Sequence, residues 1–138
     1  MYEKTDVSAG TWAGFNWSLN FHDATENHPW KGLDWVPLIY LGELDYRRVS
    51  PVGGGRTINS LAAFHELNWL IVRGVNFKTR YDWRDMDLKL LDDHQHRYTV
   101  GFDYHPYTFV ELTAQVRVNV PASGDRYTEG LFIVHGWY

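Results

Sequence analysis

The chain has 138 residues, which suits one domain and gives no reason to expect two. Aromatic residues make up 17%, charged residues 22% and the formal net charge is −4, a balance that argues against a disordered tail and a basic nucleic-acid-binding surface. The absence of cysteine excludes disulfides, thiolate metal sites and cysteine nucleophiles; no apolar run reaches the roughly 18 residues of a transmembrane helix, but a transmembrane strand needs only about 9–11 residues and one apolar face.

The opening "MYEKTDVSAG" has one Lys and no apolar run behind it, so it does not read as an intact secretory signal. Either the protein stays inside, or the chain is processed or partial. Beyond it, apolar and polar residues alternate with a period of two, which only a strand with unlike faces explains. In "FNWSLNFH", Phe15, Trp17, Leu19 and Phe21 alternate with Asn16, Ser18, Asn20 and His22. "LIYLGELDYRR" sets Leu38, Tyr40, Leu44 and Tyr46 against Glu43, Asp45 and Arg47, and "HELNWLIV" sets Leu67, Trp69 and Ile71 against Glu66 and Asn68. "VNFKTRYDWR" and "RYTVGFDYH" repeat the pattern, and "TFVELTAQVRVNV" carries it from Val110 to Val120. The last run, "TEGLFIVHGWY", is apolar on both faces. The pattern predicts about seven strands, at 12–22, 34–48, 61–72, 75–86, 96–105, 108–119 and 128–138.

Short and long connections alternate. Arg73-Gly74 and Pro106-Tyr107 are tight-turn lengths, whereas 50–60, 87–95 and 121–127 are longer and polar. That asymmetry predicts an all-β fold: an antiparallel up-and-down meander of about 7–8 strands, with two unlike rims, forming a barrel or part of one. The segment 23–33 breaks the rule, being long where a short turn is expected.

With these alternating strands, and with the aromatic Tyr138 directly after the last one, the chain resembles the C-terminal portion of a bacterial outer-membrane β-barrel of the porin type. It departs from that pattern at Gly136, where a bulky residue is usual, and in its odd strand count, since single-chain bacterial barrels have an even number. The resemblance implies residues 1–138 as a single β-barrel domain, the tail of a longer polypeptide. It also implies an outer-membrane location, with membrane lipid and a further barrel segment or protein as partners and no nucleic acid.

On that reading Lys78, Arg80, Asp82, Arg84, Arg97, Asp103, Glu111 and Arg117 line a wet lumen, while Trp17, Trp69, Tyr81, Trp83, Tyr104 and Tyr138 face lipid or its interfaces. The inward charges are mixed, so no strong preference for anions or cations is expected, and a porin-like channel or scaffold is the expected role. The same faces reversed would give a soluble lipocalin-like barrel enclosing an apolar ligand, although that family's G-x-W is matched only by Gly10 and Trp12. A structural β-domain completing an assembly through its edges is a third reading.

Little points to chemistry. "DDHQH" at 92–96, and His22 with His28, gather ligand types without the spacing of a closed metal site. "VGGGR" at 52–56 lies between strands and reads as a flexible loop, and His65 beside Glu66, or His135, offers thin material for acid–base catalysis. No enzyme, cofactor or metal is expected.

Overall fold

The computed structural model describes residues 8–21, 38–51 and 54–137. Seven strands form one antiparallel sheet in chain order: β1 (Ser8–Phe21), β2 (Leu38–Pro51), β3 (Ile58–Val72), β4 (Val75–Asp85), β5 (His94–Tyr107), β6 (Val110–Val120) and β7 (Tyr127–Gly136). The up-and-down meander expected from the alternation is the fold. The sheet is open, with β1 and β7 as its edges and no contact between them.

Because successive side chains of a strand point to opposite faces, the register decides whether the apolar sets of neighbouring strands share a face. They do. Trp17, Gly42, His65, Tyr81, Tyr98, Val118 and Thr128 are successive cross-strand partners, as are Leu19, Tyr40, Leu67, Thr79, Val100, Val116 and Gly130. The other face collects Glu66, Arg80, Thr99, Arg117 and Glu129 in one row, and Glu43, Phe64, Asp82, Arg97 and Asn119 in the next.

The turn Arg73-Gly74 is where the sequence puts it. Gly74 has φ +80°, and a Cβ there would lie 3.0 Å from the His105 carbonyl oxygen, so conformation and space both call for glycine. The second short turn is displaced. It comprises Thr108 and Phe109 rather than Pro106 and Tyr107, because β5 continues to Tyr107. A register shift between Tyr104 and Tyr107 sets Pro106 in a bulge, where its missing N–H removes no regular ladder bond.

At the opposite rim the connections are longer. The one between β4 and β5 is anchored by Asp87, which is buried, ion-paired to Arg56 and capped by the Lys89 amide at 3.2 Å. Asp87 is followed by a Leu88 amide bond to the Asn59 carbonyl at 2.8 Å, which ties this loop to the start of β3. Segment 23–33 lies outside the described residues.

Candidate functional site

On the polar face side chains are crowded. Thr99, Asp103, Thr113 and Asn119 are all buried there, whereas among the described residues no apolar side chain is. Their apolar-face neighbours on β5 and β6 stand open: Val100 is 48% and Val116 53% exposed. Of the two faces, the polar one is therefore the more crowded.

Asp103, 4% exposed, accepts a hydrogen bond from Thr113 Oγ1 at 2.8 Å and pairs with Lys78 Nζ at 2.7 Å. Arg80 pairs with Asp82 at 2.6 Å and with Glu66 at 3.5 Å, its guanidinium 4.1 Å from the centre of the Phe64 ring. Arg97 Nε donates to Asn119 Oδ1 at 2.9 Å, and Asn119 Nδ2 donates to Glu129 Oε1 at 2.9 Å. Arg117 donates to Gln115 at 3.1 Å, and Glu111 stands 3.4 Å from His135 Nδ1. These bonds satisfy groups that would otherwise be costly to crowd together.

The register puts Lys78, Arg80, Asp82, Arg84, Arg97, Asp103, Glu111 and Arg117 on one face of the sheet. On the part of that face nearer the rim of longer connections, a cavity of about 490 Å³ opens among Glu43, Asp45, Arg80, Asp82, Arg84 and Arg97.

The register puts Trp17, Trp69, Tyr81, Trp83 and Tyr104 together on the apolar face; Tyr138 lies outside the described residues. Part of that face is a ring cluster of Phe15, Trp17, Tyr40, His65, Tyr81, His96 and Tyr98. Trp17 lies over Gly42, where a Cβ would strike the indole, and its ring meets His65 at a tilt of 57°, centroids 5.8 Å apart. Tyr81 contacts His65, His96 and Tyr98 at centroid distances of 6.4, 6.0 and 5.1 Å. Two histidines of this face are satisfied by tyrosines, His65 by Tyr40 at 2.6 Å and His96 by Tyr81 at 2.9 Å.

The apolar band runs obliquely across the hydrogen-bonded rows. On β2 and β3 it reaches up to Tyr46 and Leu61, on β4 to β6 only to Trp83, His96 and Val120, and on β7 only to Phe132.

Three sequence readings change. His65 and Glu66 point to opposite faces, so they cannot act on one substrate. His94 and Gln95 belong to β5 rather than to the preceding connection, so the strand starts two residues before the expected His96. Phe64 was absent from the expected polar wall, yet it is the platform beneath Arg80. His22 and His28 lie outside the described residues.

Comparison of the chain with protein-family models, with curated proteins and with solved structures finds no match.

Proposed function

We propose that the chain forms part of the wall of a bacterial outer-membrane β-barrel, with its apolar face to lipid and its polar face to a wet lumen that admits small solutes or holds a partner. The inversion of burial carries this reading: among the described residues the buried side chains are polar and many large apolar ones stand open, the reverse of a domain folding in water. Strand length adds support: the seven strands run 10–15 residues, and a strand that crosses a membrane needs about 9–11. The satisfied charge pairs suit a lumen of mixed sign, without strong ion selectivity. A lipocalin-like barrel asks for the apolar face to be the crowded one, whereas among the described residues the buried side chains are polar.

Because the chain contains no cysteine, single cysteines can be placed along β6 without background. In lipid vesicles, cysteines at Thr113, Gln115 and Arg117 are expected to react with a water-soluble thiol reagent, and those at Leu112, Ala114 and Val116 to be protected. Equal labelling of Gln115→Cys and Val116→Cys would remove the membrane reading, since Val116 is open to any solvent on its side.

A further inference from the structure

Once the ion pairs of the polar face are set aside, four charges remain at the cavity, and they are segregated by sign. Lys78 is taken by Asp103, and Arg80 by Glu66 and Asp82. Glu43 and Asp45 on β2 have no cationic partner among the described residues, and Arg84 on β4 and Arg97 on β5 have no carboxylate partner there. All four line the cavity of about 490 Å³.

The register holds the two signs apart. Asp45, Ala62 and Arg84 are successive partners in one row, so Asp45 and Arg84 face each other across a methyl group, their backbones about 9–10 Å apart. In the next row Glu43 and Arg97 lie at either side of Phe64 and Asp82. Asp45 leans over Gly14 toward β1, where its Oδ1 is buried and has no hydrogen-bond donor among the described residues. Two neighbouring carboxylates that form no ion pair among the described residues attract a cation, and two guanidiniums across the gap attract a carboxylate.

We propose that this cavity binds small zwitterions, the ammonium on Glu43 and Asp45 and the carboxylate on Arg84 and Arg97. An ammonium and a carboxylate separated by one to three carbons, each making one charge-assisted hydrogen bond of about 2.8 Å, fit the remaining space over Ala62. The site needs only that the polar face be wetted. Its failure therefore leaves the membrane reading standing, and failure of the membrane reading leaves the site.

Equilibrium dialysis with radiolabelled β-alanine, against propionate and n-propylamine as single-charge analogues of similar size, tests the proposal on the unaltered chain. β-Alanine is expected to bind at least tenfold tighter than either analogue. Asp45→Asn and Arg84→Gln should each weaken β-alanine at least fivefold, while Arg47→Gln, next on the same face of β2 but outside the cavity, should not. Propionate or n-propylamine binding as well as β-alanine overturns the proposal, as does an absence of β-alanine binding, or equal losses from Arg47→Gln and Arg84→Gln.

Discussion

Val116→Arg asks the sharpest question of the sheet. Val116 stands at the middle of β6 on the apolar face, between Val100 and Gly130 in its row, and is 53% exposed. Along the apolar face of β6, from Val110 to Val120, there is no acid to meet a guanidinium; Glu111 and Glu129 point to the other side. If the face meets water, an arginine there is an open surface substitution, worth within about 0.5 kcal/mol. If it meets lipid near the bilayer midplane, the cost is about 2–4 kcal/mol, a factor of roughly 30 to 900 in the folding equilibrium. The oblique band refines this further. On β6 it spans Val110 to Val120, so its centre lies between Ala114 and Val116, and Val120→Arg at the upper edge should cost only about 0–1 kcal/mol. Gln115→Arg on the polar face is the matched control. The assay is urea-dependent folding into phosphatidylcholine vesicles, followed by tryptophan emission. A Val116→Arg variant within 0.5 kcal/mol of the parent, about the ordinary surface effect, or a Val120→Arg variant costing as much as Val116→Arg, refutes the reasoning.

The polar face offers a second test: Asp103→Ala removes the acceptor of Thr113 and the counter-ion of Lys78. Lys78 keeps 25% of its side-chain surface and can reach water, so the expected loss is about 1–3 kcal/mol by denaturant titration. Adding Lys78→Met should restore part of that loss. Gly74→Ala, at φ +80° and against the His105 carbonyl, should cost about 1–2 kcal/mol and loosen the β3–β4 turn in hydrogen exchange. Gly42→Ala should push the Trp17 indole off the strand and shift its emission, whereas Ala63→Gly nearby should leave that emission unchanged.

The strands were legible because an apolar–polar period of two leaves a trace in every pair of neighbouring residues. Residues such as Val116 and Arg117 declare opposite faces without any knowledge of what lies beside them. The rim asymmetry was legible for a similar reason, since connection length is written directly into the chain. What depends on a partner strand was not legible. Pro106 reads as a turn residue in isolation, but it sits in a bulge because β5 finds a second pairing point at Tyr107 and Val110. Phe64 looks misplaced among polar residues until Arg80 is laid across it from β4. The segregation of Glu43 and Asp45 from Arg84 and Arg97 arises from pairing three strands in register, with small Ala62 between.

Closure of the sheet obeys the same logic. In an up-and-down meander of seven strands, β1 and β7 run in the same direction. Direct pairing of these edges would create a parallel seam, without the hairpin geometry that every other neighbour pair in the sheet uses. Copies related by rotation about a barrel axis would meet the same difficulty, because each copy presents β7 parallel to the next copy's β1. An odd number of additional strands restores antiparallel pairing at every seam and brings the total to the even number usual for single-chain bacterial barrels. In a membrane the need is strict, because backbone groups left unpaired at lipid depth cost several kcal/mol each, whereas in water an open edge is tolerated. The two edges are therefore the part of the sheet where the membrane reading makes its strongest structural demand.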